Sequence, residues 1–466
     1  MFRGRVRHVH FVGVGGIGMS GLAEILRNLR FDVSGSDLKE GETTRRLARF
    51  GVRIDIGHRA ENVMKADVVV YSSAINWANP ELQRAKQLGI PVVSRAEMLA
   101  ELMRVKYGVA IAGSHGKTTT TSLVATVLSA AGFDPTVVVG GRMAALGTNA
   151  RLGEGDLLVA EADESDGSFL RLTPTIAVVT NIDPEHLDHY GTHERLKAAF
   201  LEFIEKVPFY GLAVLCLDHP DVQDLLPKIQ RRHVTYGLSP QADYFARDVS
   251  FEGTSVRFTA YRRGESLGQY HLRMPGVHNV LNTLAAIAVA DELAVPFDVL
   301  RDSLSNFHGV ARRFTVTATV NGVALVDDYG HHPAEIRATL AAARKAYSGR
   351  IVVVFQPHRY TRTQSLFEEF TKAFNDCDLL VVIPVYPAGE KPIEGATGDR
   401  LAAAVTVHGH HAVHFQKDLS AAADFVAPEV RSGDVVIALG AGDVNKTLKL
   451  IQDQLTRAAP NSEGGP

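Results

Sequence analysis

The chain has 466 residues, 45% of them hydrophobic and 22% charged, enough for two to four domains with sizeable cores. A formal net charge of -3 leaves no basic excess for nucleic acid, and two cysteines, Cys216 and Cys377, exclude a disulfide framework or a cysteine-built zinc site. No run approaches the roughly 18 consecutive apolar residues of a membrane span, so the expectation is a cytoplasmic enzyme, monomeric or weakly dimeric, with no membrane or nucleic-acid partner.

Strand-like apolar runs alternate with amphipathic helical segments along the chain, the pattern of α/β domains with parallel sheets. The basic first residues lead into an apolar run that breaks at once into glycines, which reads as a strand and not as a signal peptide. That strand, Val9 to Val12, is followed by Gly13-x-Gly15-x-x-Gly18, with Gly16 and Ile17 inside the loop, and then by a helix carrying Leu22, Ile25 and Leu26. A second strand from Phe31 ends on Asp37. Glycines let a backbone approach a pyrophosphate, the helix start offers N–H donors, and an acid at this distance can accept from a ribose. The loop alone does not choose a nucleotide, and NAD fits it as well as any other.

A second glycine-rich loop, Gly113-Ser114-His115-Gly116-Lys117-Thr118-Thr119, follows the apolar run Val109 to Ala112. It is shorter than a standard P-loop, because the position five before Gly116 is Ile111. Its chemistry is the same: backbone N–H groups cradle the phosphates of ATP, Lys117 neutralises their charge and the Thr118 hydroxyl meets Mg²⁺. A strand from Leu157 ends on Glu161, inside the acidic cluster Glu161 to Asp166, and another from Ile176 runs into a segment holding His186. Massed carboxylates beside a phosphate loop repel each other unless cations sit among them, which points to two Mg²⁺ ions. The third glycine-marked region opens after Arg312-Arg313-Phe314. Boundaries near 106 and 314 give domains at 1–106, 107–314 and 315–456, with a polar, Gly- and Pro-rich tail at 457–466 expected to be disordered. In the last domain, Arg359 and Arg362 follow the strand Ile351 to Val354, and arginine forks suit a carboxylate.

The segments GVGGIGMSGLA, AGSHGKTTTT, EADESD, NIDPEHLDHY, PGVHNVLNTLAA, ARRF, DDYGHHP and FQPHRYTRT occur in this order. With them the chain resembles the Mur ligase family over all but its tail. The resemblance implies three α/β domains: an N-terminal Rossmann-like one for a UDP-sugar, a central P-loop-type ATPase with a parallel sheet, and a C-terminal Rossmann-like one for an amino acid. It implies an ATP-dependent amide-forming ligase of peptidoglycan synthesis whose substrates are UDP-N-acetylmuramate and L-alanine. Lys117 and Thr118 would bind phosphate and Mg²⁺, with Glu161 and His186 as further metal ligands. Asn279 and Asn282 would hold the adenine, Arg313 (with Arg312 as a second candidate) the γ-phosphate, and Asp328 would approach the same nucleotide. Ser72, Ser73 and Arg95 would touch the UDP-sugar, and Tyr329, His331, Arg359 and Arg362 the amino acid. Several family members carry a carbamylated, metal-ligating lysine in the helix after the histidine segment; here the aligned residue is Phe200.

A carboxylate needs activation before an amine can displace its oxygen, and ATP supplies it as an acyl phosphate. Lys117, Arg313 and Mg²⁺ would stabilise the charge that develops, and His331 and His332 are the candidates for taking the amine proton. Two rivals stand beside this reading. A ligase attaching a ready-made tripeptide to the same sugar nucleotide differs after its FQP, where HRYTRT favours L-alanine. An NAD-dependent oxidoreductase would use the first loop but leave the second, and the acids, without a role.

Overall fold

The computed structural model describes residues 6–72, 74–139 and 150–457, without the side chains of Ile17 and Asp188. Ser73 and the tail from 458 onward therefore lie outside the described residues. The described residues form two compact units. One comprises the chain up to Asp248 with Phe258–Tyr270 and Leu281–His308; the other comprises Val249–Arg257, His271–Val280 and the chain from Gly309. No described helix is long and apolar enough to cross a membrane.

Five short strands build the first sheet: β1 (His8–Val12), β2 (Asp32–Asp37), β3 (Arg53–Ile56), β4 (Val68–Tyr71) and β5 (Val92–Ser94). They lie in the order β3-β2-β1-β4-β5, all parallel. Chain order reverses beside β1, and that reversal opens a crevice at the carboxyl ends of the strands. The loop from Gly13 to Gly16 lies there, before the helix Ile17–Asn28, whose Leu22, Ile25 and Leu26 are buried.

The second sheet holds β6 (Tyr107–Ala112), β7 (Thr136–Val138), β8 (Ala150–Arg151), β9 (Leu157–Glu161), β10 (Ile176–Val179), β11 (Leu212–Cys216), β12 (His233–Gly237), β13 (Tyr244–Glu252), β14 (Ser255–Arg262) and β15 (Glu265–Leu272). Their order is β15-β14-β13-β12-β11-β10-β6-β9-β7-β8. The strand that leads into the phosphate loop, β6, is paired in parallel with β9 on one side and β10 on the other. Burial on both faces explains why these strands read as unbroken apolar runs: Val109 to Ala112, Leu158 to Ala160 and Ile176 to Val179 are all fully covered.

The third sheet comprises β16 (Thr315–Val320), β17 (Val323–Asp328), β18 (Ile351–Phe355), β19 (Leu379–Val382), β20 (Val413–Phe415) and β21 (Val435–Leu439), in the order β16-β17-β21-β18-β19-β20. Only the β16–β17 pair is antiparallel. Asn321 and Gly322, at φ 51° and 77°, make the two-residue turn that joins them. Asp328 thus ends β17, and the segment from Gln356 leaves β18, both at the carboxyl ends of strands that flank β21 in parallel.

Candidate active site

Beyond β6 the chain turns through Gly113 (φ 133°) and Gly116 (φ 83°) into the helix Lys117–Ala130. Both glycines are required by space as well as by dihedral. A Cβ on Gly113 would lie 2.0 Å from Thr180 Oγ1, and one on Gly116 would lie 2.7 Å from Asn282 Oδ1. The Thr180 hydroxyl donates to the His115 carbonyl at 2.6 Å, the His115 amide donates to Asn181 Oδ1 at 2.7 Å, and Ser114 Oγ donates to the Asp183 carbonyl. The loop is therefore clamped by the segment leaving β10. His115 Nε2 lies 3.0 Å from Asp183 Oδ2, and His219 Nε2 lies 3.4 Å from Oδ1. Burial would raise the Asp183 pKa, but these two imidazoles hold it well below the usual carboxylate range.

Because β9 and β10 flank β6, their carboxyl ends carry acids to either side of the loop. Glu161 ends β9; Glu185 and His186 follow β10, with His186 at a left-handed φ of 56°. Glu164, Glu185 and His186 bring one ligand atom each to within 4.8 Å of one another, a donor set suited to a divalent cation. Thr118 is half-buried at the first turn of the loop helix. Lys117 Nζ lies 2.9 Å from both carboxylate oxygens of Glu164, a residue only 1% exposed, and also donates to the Gly113 and Ser114 carbonyls. Burial opposes the Lys117 charge, yet Glu164 and then Asp163 keep the ammonium protonated. Phe200 lies in none of this: it is fully buried, edge-on to Phe169 at 5.3 Å between ring centroids.

At the first loop, the Gly13 and Val14 amides donate to the Ser36 carbonyl, and the Gly15 amide donates to Asp37 Oδ2 at 2.9 Å. Asp37 thus commits one oxygen to holding the loop that it was expected to serve from the ribose side. A cavity of about 250 Å³ opens beside it, lined by Gly16, Gly18, Ser72, Arg95, Glu161 and Asp163. Arg95 packs over Gly18, where a Cβ would stand 3.0 Å from its Cδ and Nη1. The Asp163 carboxyl is held below its ordinary pKa: burial would raise it, but Lys117, Ser165 and Arg95 outweigh that. The cavity therefore joins the first glycine loop to the acids beside the second.

Asn279 and Asn282 share the helix Val277–Glu292, and both are buried. Asn279 donates to the Pro275 carbonyl, and Asn282 Oδ1 accepts from Thr120 in the loop helix.

In the second unit, Asp328 is buried and accepts from the Phe314 and Gly330 amides and from Thr339 Oγ1; burial pushes its carboxyl up to about 6. Arg313 donates to Glu335, and both Arg312 and Arg313 lie over the Tyr329 ring. Glu335 also accepts from the His331 and His332 amides. His332 is buried and caps the helix Pro333–Ala346, accepting from the Ala334 amide. His331 instead meets Tyr329 and His358 edge-on. Arg359, exposed and at a left-handed φ of 69°, starts the helix Tyr360–Ser365, and Arg362 lies one turn on, 3.4 Å from His358 Nδ1. His358 stacks on Tyr386 with ring centroids 5.6 Å apart. Burial first, then His331 and the two arginines, pull its pKa down to about 3, so the ring is neutral. Glu164, Glu335 and His358 were not picked out by sequence reasoning. For Glu335 there was a signal, His-Pro-Ala-Glu, which is a helix start with Pro at the first position and Glu at the third.

Residues 8–107 match the Mur ligase family catalytic domain, residues 111–290 the Mur ligase middle domain, and residues 312–442 the Mur ligase glutamate ligase domain. The chain belongs to the Mur ligase family. As a Mur ligase it is an ATP-dependent enzyme that forms amide bonds, built on the family's three-part α/β fold. It is 70% identical over 467 aligned positions to the UDP-N-acetylmuramate–L-alanine ligase of Sorangium cellulosum (strain So ce56), with all of both chains covered. The crystal structure of the UDP-N-acetylmuramate-alanine ligase of Thermotoga maritima is similar at a TM-score of 0.81 and 30% identity, covering 97% of this chain and 99% of that one. The murein peptide ligase of Psychrobacter arcticus 273-4 shares the fold at a TM-score of 0.70 and 22% identity, covering 96% and 98%.

Proposed function

We propose that this Mur ligase joins L-alanine to UDP-N-acetylmuramate in the cytoplasm, as a monomer or weak homodimer, at an early step of peptidoglycan synthesis. The observation that carries the reading is the cavity running from the Gly13–Gly18 loop past Arg95 to Glu161 and Asp163. A pyrophosphate at that loop can extend a sugar carboxylate toward the phosphate loop. The 70% identity to a full-length relative of that name supports the choice of substrates. Domains at 1–106, 107–314 and 315–456 would then serve sugar nucleotide, ATP and amino acid in turn.

The chemistry runs through two displacements. The muramate carboxylate attacks the γ-phosphorus of ATP and ADP leaves; the amine then attacks the acyl carbon and phosphate leaves. Lys117 and Arg313 bear the phosphate charge, Asn279 and Asn282 hold the adenine, and Asp328 orients the segment carrying Arg313. Thr118, Glu161 and His186 would hold two Mg²⁺ ions, which when bound screen the phosphate oxygens and align them for in-line transfer. Tyr329, His331, Arg359 and Arg362 would receive the amino acid, the arginines gripping its carboxylate. His331 is better placed than His332 to accept the amine proton, because His332 is committed to a helix cap.

Phosphate release from ATP, measured on a panel of UDP-muramoyl acceptors with amino acids or tripeptide, tests this. The expected result is release only with UDP-N-acetylmuramate and L-alanine together. Release with the tripeptide and none with L-alanine would overturn the substrate assignment, and reduction of NAD would overturn the reading of the first domain.

A further inference from the structure

Lys117 has one ammonium, and in this structure a carboxylate already holds it. Glu164 places both oxygens 2.9 Å from Nζ, from a buried position, so the contact replaces what a phosphate would otherwise supply. The main chain of Glu164 is pinned, its carbonyl accepting from the Tyr190 hydroxyl at 2.6 Å and the Gly167 amide at 3.0 Å. Side-chain torsions alone are free to move the carboxylate. The same Oε1 that meets Lys117 is 3.8 Å from His186 Nε2, and Glu185 completes a set of three donors there. An ammonium with three N–H donors cannot keep a carboxylate and accept a triphosphate at full strength, since both compete for the same few donors.

We propose that Glu164 is an internal stand-in for phosphate, holding Lys117 until a nucleotide arrives and then giving its carboxylate over to a divalent cation shared with Glu185 and His186, beside which it already stands. The inference rests on the nucleotide and Mg²⁺ reading above. One carboxylate would thereby couple the two binding events: nucleotide frees it, and metal gains it. It also keeps Lys117 in a direct ion pair between turnovers, closer than the charge of Asp163 alone would hold it.

The test is calorimetric titration of the whole protein with a non-hydrolysable ATP analogue carrying a β,γ-imido bridge, first in EDTA and then in Mg²⁺. Glu164→Gln is compared with the parent, and Glu164→Ala, which leaves the carbonyl that Tyr190 binds, is titrated beside it. In EDTA both variants are expected to bind the analogue roughly 10- to 100-fold more tightly than the parent, because no charge-assisted contact has to be given up. In Mg²⁺ the strengthening seen for the parent is expected to shrink in both. Equal or weaker affinity in EDTA would overturn the stand-in, and an undiminished Mg²⁺ gain would overturn the hand-over to the cation. A parent that binds no analogue in either buffer would sink the nucleotide reading and this inference with it.

Discussion

Asp37 Oδ2 accepts a hydrogen bond from the Gly15 amide at 2.9 Å, so the acid that ends β2 braces the glycine loop from behind. A Cβ at position 15 would stand 2.8 Å from that same oxygen. Gly15→Val is therefore expected to displace Asp37 and loosen the loop. Losing one charge-assisted bond should raise the Michaelis constant for UDP-N-acetylmuramate roughly 10- to 100-fold, with that for ATP little changed. Steady-state kinetics with each substrate varied in turn decides it, and an effect confined to ATP would detach the loop from the sugar nucleotide.

Lys117→Ala should lower turnover by roughly 10²–10³ or more through lost charge stabilisation at the phosphate. It should also lower the melting temperature, because Glu164 is then buried without its cation. Adding Glu164→Gln to it is expected to restore the melting temperature while leaving activity lost. A double variant that regained activity would remove Lys117 from the phosphate site.

The arginine pair predicts a different pattern. Arg359→Ala and Arg362→Ala should each raise the Michaelis constant for L-alanine by roughly tenfold or more, while that for ATP stays within a few-fold. A shift in the ATP constant with L-alanine unaffected would put the pair elsewhere.

His358 makes a pH prediction. Its folded pKa, about 3, lies below the ordinary 6.5, so the stability it contributes is fully present above pH 6.5 and is lost as pH falls toward 3. Urea unfolding at pH 7 and pH 4.5 should show the parent losing more stability than His358→Phe, by on the order of 1–2 kcal/mol after allowance for partial exposure. His331, Arg359, Arg362 and Glu390 face this ring and stay in both proteins. Parallel losses would mean that the ring is not held neutral by its surroundings.

Much of the architecture was legible because parallel strands covered on both faces must be apolar throughout, and the loops that follow them must be rich in glycine. Val109 to Ala112 and Gly113 to Lys117 show both signals within nine residues. Acids at the ends of β9 and β10 could be read as belonging to one site only through their apolar strands. What was hidden lies in pairings across long stretches of chain. Lys117 and Glu164 are 47 residues apart, and nothing local distinguishes Glu164 from its acidic neighbours. That Asp37 also braces Gly15 was hidden because the bond needs the fold to exist. The capping role of His332 was hidden too, because an imidazole is rare among residues that cap.

Arg359 keeps a left-handed backbone that glycine would adopt without strain. Such a position stores about 1–3 kcal/mol in a residue with a side chain. A selection for heat resistance alone would therefore favour glycine at 359, and would discard the guanidinium in doing so. Any programme that ranks variants of this enzyme by thermal tolerance should watch that residue, because the gain in robustness there removes a side chain on which the proposed grip of the amino acid relies.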